Sequence, residues 1–465
     1  MKSDYRQSIT LLEKHDFIRW NEDLWENGCH VWLPKGEKLK QLFYRHFSNL
    51  LRKSGYQKIQ LPRLVPEEVL EKVAESLFDF RESVYWTSTK EMNSYEHSPY
   101  YLNSTSDPVL NYFLAEELDS QTASPYRVYL REQLFRPHGS TSTRPFIDSD
   151  ENVDVVECYS ICPTYESSLE EFSLAFLMLE SFMNDICLDW YHVKRPGWGN
   201  KPVADKVHSL QTWLPDFQCS TRVGTVYHHD QTFSRIFDVT YDDEGNTEYA
   251  HQTAFGFGER TLFTMLNQHT DQHGLRIPPI VAPTQVGIVP FTTDELDQAK
   301  QLAYEMDVRT DIDKKFNQSY QKRLNRYLES GVPLRVGLKT GERCVEVSYR
   351  DNLERFKIPP EKLVVDIDEY LASVTTGMQK DAKSVLKQST NRVADRQNIG
   401  DHLENNKLIL LPWCEDNCCA KELEKDHSGE FLGECVEKKP KNKKCFNCVK
   451  NATAVGLYGR RSPSP

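Results

Sequence analysis

The stretch YLREQLFRPHGSTSTRPFIDSD, residues 129–150, most constrains what this chain can become. Two apolar, strand-like flanks enclose a run of small hydroxyl residues, so the segment reads as a hairpin. A hairpin commits this region to an antiparallel sheet. It also carries Arg131 near one edge and Arg144 with Phe146 at the other, around a polar loop, HGSTST. Guanidinium forks and an aromatic face suit a ligand that is flat and negatively charged.

The neighbouring text agrees with a sheet covered by helices. GEKLKQLFYRHFSNLLRKSGY places Leu39, Leu42, Phe43, Phe47, Leu50 and Leu51 at helical spacing, with Gly55 as a C-terminal cap. QKIQLPRLVP follows as a short strand ending at Pro62, and SLEEFSLAFLMLESFMNDICL reads as another helix. YRVYLRE, FSRIFDVTYDD and EYAHQTAFGFG are strand candidates, with DDEGN as a turn between the last two. After RIPPIVAP the pattern alternates strand and helix, as expected of a small α/β unit. The predicted fold class is α+β, with an antiparallel-sheet domain over 1–282. An α/β domain over 283–380 and a cysteine-bearing C-terminal unit over 381–465 complete it.

At 465 residues the chain exceeds what one core organises. A net charge of −12 argues against a generic nucleic-acid binder, although Lys438 to Arg461 form a local basic run. No apolar run is long enough to span a bilayer, and the charged N-terminus does not read as a secretory signal. A reducing, cytoplasmic setting is the expectation. Seven of the twelve cysteines are scattered and five sit in two close groups near the C-terminus. Cys414 with Cys418 or Cys419, together with Cys445 and Cys448 of CFNC, form a set suited to tetrahedral zinc. No GxxxxGK[ST] is present, so any nucleotide phosphate would be held by arginines rather than by a glycine cradle.

Three segments stand in a telling order. A helix leads to IQLPRLVP; the hairpin carries Arg131 and Phe146; AFGFGERTLFTMLNQHTD puts Arg260 between a glycine-rich strand and a helix. They resemble motifs 1, 2 and 3 of class II aminoacyl-tRNA synthetases. GLRIPPIVAPTQVGIVP, YLESGVPLRVGL, FSRIFDVTYDDEGNTEYAHQTAFGFGER and AVGLYGR narrow the resemblance to the archaeal/eukaryotic-like branch of the prolyl-tRNA synthetases.

That resemblance implies ATP-dependent activation of proline as an adenylate and transfer to tRNA, with Mg²⁺ assisting, zinc in the C-terminal unit and a homodimer as the assembly. It implies that Arg131 contacts the α-phosphate and the amino-acid carboxylate, with Gln133 and Phe146 on adenine and Arg260 on the γ-phosphate. Gln231 and Gln252 match further ATP-site positions. Thr105 and Asp107 match a loop that holds the substrate amino group, and Glu329 and Arg335 an anticodon-reading neighbourhood. The family spacing favours Cys419 over Cys418. The HGSTST loop would meet the acceptor end of tRNA. The chain departs from the family at TRPF, where Pro145 replaces an acidic residue, and at YHHDQTFSR, one residue shorter than expected. The pocket histidine that normally follows the hairpin has no clear counterpart. These departures leave room for a paralogue with a non-tRNA acceptor, or for a non-catalytic RNA-binding homologue.

Overall fold

The computed structural model describes residues 7–20, 29–77, 81, 84–91, 94–118, 124–137, 146, 153–199, 203–243, 246–339, 341–394, 396–405, 407–441 and 444–460. Its centre is a mixed sheet of eleven strands. From one edge the strands run Gln57–Lys58, Tyr126–Leu134, Val153–Cys162, His251–Gly258, Cys219–Asp230, Lys206–Leu214 and Tyr191–Lys194. The sheet then continues without a break into Glu430–Cys435, Ala454–Gly459, Leu408–Trp413 and Thr390–Arg392. The cysteine-bearing unit, expected as a separate third body, therefore extends the sheet of the first. The joint is a short antiparallel pairing, Glu434 with Lys194 and Cys435 with Val193.

One face of the sheet is covered by the helices Pro34–Lys53, Tyr165–Asp185 and Glu259–His269. The first matches the helical spacing read from sequence and ends as expected, with Gly55 at φ +84°. Its Phe43 and Phe47 meet Phe182 and Phe257 in edge-on contacts 4.7–5.7 Å apart. The other face packs against Glu67–Ser76, Ser106–Glu117 and Thr232–Phe237. FSRIFDVTYDD was expected as one strand. It is instead that last short helix followed by Thr240–Asp243, which pairs with Asn246–Tyr249. Phe233, Ser234 and Phe237 all bury, the stripe of a helix, whereas a strand would turn the neighbours 233 and 234 to opposite faces.

The small α/β unit has five strands in the order Thr310–Ile312, Val286–Pro290, Leu334–Leu338, Val345–Tyr349 and Arg355–Ile358. Its first three strands are parallel and the rest antiparallel. The boundary expected at 380 falls inside a 29-residue helix, Pro360–Gln388. Leu363 to Met378 of this helix pack on the small sheet, and Leu386 packs on the C-terminal strands. Arg350, 1% exposed, ties the small unit back to the core. It makes two bonds to the Asp271 carboxylate, of 2.7 and 3.0 Å, and others to the carbonyls of Gly274, Leu275 and Leu328.

Behind the central sheet, Asp154 accepts two bonds from Arg131, 3.0 and 2.7 Å long, with Lys40 Nζ at 3.2 Å. Lys40 also lies 3.5 Å from Glu259, which accepts a 2.8 Å bond from the Trp32 indole. Removing one member of a buried charge network leaves the others uncompensated, at a cost of about 3–5 kcal/mol. Asp154→Ala is expected to lower unfolding free energy by about that amount in urea titration. A loss below about 1 kcal/mol would show the network to be a solvated surface pair.

Candidate active site

Strand alternation decides which side chains share a face. On Tyr126–Leu134 the odd positions, Arg131 and Gln133 among them, point toward the Pro34–Lys53 helix. The Arg131 guanidinium lies 4.1 Å from the centre of the Tyr44 ring of that helix and is held by Asp154. The opposite face opens onto a cavity of about 350 Å³. Glu157 and Tyr159 stand opposite Leu130 and Val128 in register, and they line this cavity. Arg131, assigned from the resemblance to phosphate contact, is therefore on the wrong face, and Gln133 with it. The arginine that reaches the cavity is Arg136, just past the strand end. Its Nε donates 2.7 Å to the Ser104 carbonyl. Parity carried the signal: position 136 alternates with Leu130 and Glu132, on the face shared with Glu157.

Three cationic side chains line the cavity: Arg136, Arg222 and Arg260. Arg260 stands in the first turn of Glu259–His269, directly after the glycine-rich strand. There Gly256 allows close approach, since a Cβ at this position would meet the Val156 carbonyl oxygen at 2.1 Å. Phe146 forms part of the wall at φ +67°, an unusual backbone region for an aromatic residue. Its ring stacks on Phe263 at 4.8 Å and lies 4.1 Å from His30, which fixes its plane.

The same lining also carries acids. Asp107, at the start of Ser106–Glu117, accepts a 2.8 Å bond from the Thr105 hydroxyl and faces His229 Nε2 at 3.3 Å. Burial alone would raise the Asp107 carboxyl, but bonding and charge from His229, with Thr105, hold it below its ordinary value. Glu157 goes the other way. Burial and the Asp107 charge push it up to about 7, against the opposing pull of Ser106 and Arg136. Two carboxyl groups share this lining and only one is readily ionised. His229 was not assigned from the sequence. A register shift between His228 and Asp230 accompanies its approach to Asp107. No histidine follows the hairpin on the cavity face of Val153–Cys162; Tyr159 stands there instead.

The remaining assignments divide. Gln252 shares the cavity face but lies deeper, 1% exposed, with its amide nitrogen 2.6 Å from Asn111 Oδ1. Gln231 is turned away, donating to the Tyr249 carbonyl and accepting from Arg235. Arg335, 2% exposed, donates to the Tyr349 carbonyl inside its own sheet, so it is not presented to a base. Glu329 pairs with Lys14 at 2.7 Å on the rim of a cleft of about 960 Å³ between the N-terminal helix region and the small unit. The HGSTST loop, Arg144, Pro145 and the terminal RSPSP lie outside the described residues.

Four thiols meet in the C-terminal unit: Cys414, Cys419, Cys445 and Cys448. Cys414 Sγ is 3.9 Å from Cys419 Sγ and 3.6 Å from Cys448 Sγ. Tetrahedral zinc with bonds of about 2.3 Å requires sulfurs about 3.8 Å apart. The donor set and spacing fit zinc, and Cys418, exposed, stands apart.

Comparison with known proteins meets this geometry. Residues 85–269 match the tRNA synthetase class II core domain (G, H, P, S and T), and residues 397–461 match the prolyl-tRNA synthetase C-terminal family. The chain resembles the prolyl-tRNA synthetases along nearly its whole length. Among its curated relatives are the proline–tRNA ligases of Saccharolobus islandicus, 27% identical over 92% of each chain, and of Thermococcus kodakarensis, 26% identical over 93% of each. The prolyl-tRNA synthetase of Cryptosporidium parvum, solved with halofuginone and AMPPNP, superposes with a TM-score of 0.89 at 25% identity. That match covers 99% of this chain and 98% of the other. Arg136 is the arginine that this chain's hairpin strand brings to its cavity.

The raised Glu157 makes a pH prediction. Its folded value lies above its unfolded one, so ionising it costs stability as pH rises from the ordinary carboxylate range through about 7. Glu157→Gln removes that cost. Its stability relative to the parent should be near zero at pH 4 and grow in favour of the variant by pH 8, read by urea midpoints. A pH-independent difference would contradict the assignment.

Proposed function

We propose that this protein is a ligase that activates proline with ATP and transfers it to tRNA, and that the cavity over the central sheet is where both steps occur. The observation that carries this is the polarity of the cavity. Three guanidinium groups, an aromatic wall and a pair of carboxyls line the same space, and Arg136 stands beside the carboxyls, bonded to the Ser104 carbonyl. A triphosphate and an amino acid carry the complementary groups, clustered anions and one ammonium.

In the first step the proline carboxylate oxygen attacks the α-phosphorus of ATP and pyrophosphate leaves. Two anions must come within bonding distance, so fixed cations are needed where charge builds up. Arg136 and Arg260 are placed to supply it, with Phe146 as a flat surface for adenine. Asp107, kept ionised by His229, receives the secondary ammonium, and Glu157 beside it confines that end. Mg²⁺ on the phosphates would further reduce repulsion. In the second step the terminal ribose hydroxyl of tRNA attacks the carbonyl carbon and AMP leaves. Neither step requires a side-chain nucleophile.

Several features of this reading rest on the family. The short strand Gln57–Lys58 forms one edge of the great sheet, a surface suited to a second copy in a homodimer. Glu329 on the cleft rim is retained as an anticodon-side residue and Thr105 as an amino-acid-side one. Zinc at the cysteine cluster would cross-link the loop 445–448 to the strand end at Cys414 and the helix at Cys419. A cytoplasmic site of action follows from the substrates.

Pyrophosphate exchange into ATP should depend on proline among the twenty amino acids, and purified tRNA should become charged. Arg136→Ala and Arg260→Ala should each lower exchange by about 10²–10³-fold. Arg131→Lys, on the far face, should stay within about tenfold of the parent at a temperature where it is folded. Exchange lost in Arg131→Lys but retained in Arg136→Ala would reverse the assignment of faces. Exchange without charging would point to another acceptor.

Zinc analysis offers a separate check. Cys448→Ser should lose one zinc per chain and melt earlier in its C-terminal unit. Unchanged zinc content would remove the cysteine cluster as a site.

A further inference from the structure

A second group of ligating side chains sits away from both the cavity and the cysteines, at the joint between the core sheet and the C-terminal strands. Glu180 on the Tyr165–Asp185 helix, His192 on Tyr191–Lys194 and Glu437 just beyond Glu430–Cys435 each offer one ligand atom. These atoms all lie within 4.8 Å of one another. Two carboxylates so close repel, yet among the described residues neither is ion-paired with a lysine or arginine. Among the described residues the Trp190 indole is the side chain that hydrogen-bonds Glu180.

The imidazole is held as a metal ligand is commonly held. His192 Nε2 is 2.9 Å from His208 Nδ1, which leaves Nδ1 of His192 as the open position. The ring packs on Phe176 at 4.2 Å, so its plane is fixed. A hydrogen bond to the far nitrogen is the usual means of orienting a ligating histidine. One nitrogen and two carboxylate oxygens suit a divalent first-row cation, and three protein ligands leave room for water.

We propose that Glu180, His192 and Glu437 bind one divalent transition-metal cation, of the zinc or manganese type, that staples the C-terminal unit to the catalytic core. The location gives it that role. Strand pairing across the joint is confined to Glu434 with Lys194 and Cys435 with Val193, helped by a 3.0 Å bond from Val436 N to the His192 carbonyl. An ion there links the core helix, the last core strand and the chain leaving the C-terminal strand. Its oxygen-rich ligands separate it chemically from the four thiolates, which disfavour manganese.

The test uses the full chain, loaded with zinc at the cysteine cluster and free of nucleotide. Manganese is titrated in and the free-ion paramagnetic resonance signal is followed. One manganese per chain should bind, and zinc in excess should compete for it. Glu437 is exposed, so Glu437→Gln should fold and keep exchange activity while binding manganese at least about tenfold more weakly. Glu157→Gln, which alters the carboxyl pair in the cavity, should bind it as the parent does. No manganese bound by the parent at millimolar concentration, or equal binding by Glu437→Gln, would overturn the proposal. Loss of binding in Glu157→Gln alone would place the ion in the cavity and overturn it as well.

Discussion

The charge network behind the central sheet is the constraint on which the site depends. Asp154 and Glu259 are buried carboxylates on two different elements, and Lys40 reaches both, at 3.2 and 3.5 Å. Arg131 grips Asp154 from the neighbouring strand. Buried charges of this kind are tolerated only when each is compensated, so the helix, two strands and the start of the motif 3 helix are fixed relative to one another. Glu259 immediately precedes Arg260. The position of Arg260, one of the three cavity arginines, is therefore set by a partner of its neighbour on the other side of the sheet. Burial and Asp154 push Glu259 up to about 7, while Lys40 and Trp32 draw it down.

The same economy of faces organises the chemistry. A sheet gives two surfaces from one set of strands, and here one carries ionic and aromatic packing while the other, covered in part by helices, opens onto the cavity. On the cavity side arginines and carboxyls line one space. The acid pair is asymmetric because His229 stabilises the charge of Asp107 and the resulting anion suppresses ionisation of Glu157. That asymmetry lets two adjacent acids serve as one fixed negative charge. Continuity of the sheet into the C-terminal strands makes the cysteine unit an extension of the same scaffold rather than an appendage.

Much of this was legible in the residues. The helix over Leu39–Leu51 and its Gly55 terminator followed from periodicity and from the conformational freedom of glycine. Asp107, Phe146 and Arg260 were singled out and stand around one cavity. Arg131 was singled out too, because an arginine on a strand beside an aromatic resembles a phosphate ligand whichever way it points. The sequence of that strand shows two faces, one apolar and one polar, and the polar one invites assignment to a site. Its covering by Tyr44, Lys40 and Asp154 comes from residues up to 91 positions distant, which local pattern does not register.

What the sequence by itself determined was periodicity: which segments are helices, which are strands, and which side chains alternate together along each. Those properties arise from neighbours within a few positions, and local sterics suffice to set them. Only the tertiary structure decided which alternating face looks outward. It alone put His229 against Asp107 and carried the Pro360–Gln388 helix across an expected boundary. It also gathered Cys419 rather than Cys418 into the thiol cluster. Those choices depend on contacts between distant segments, made when burial of one face pays for the exposure of the other.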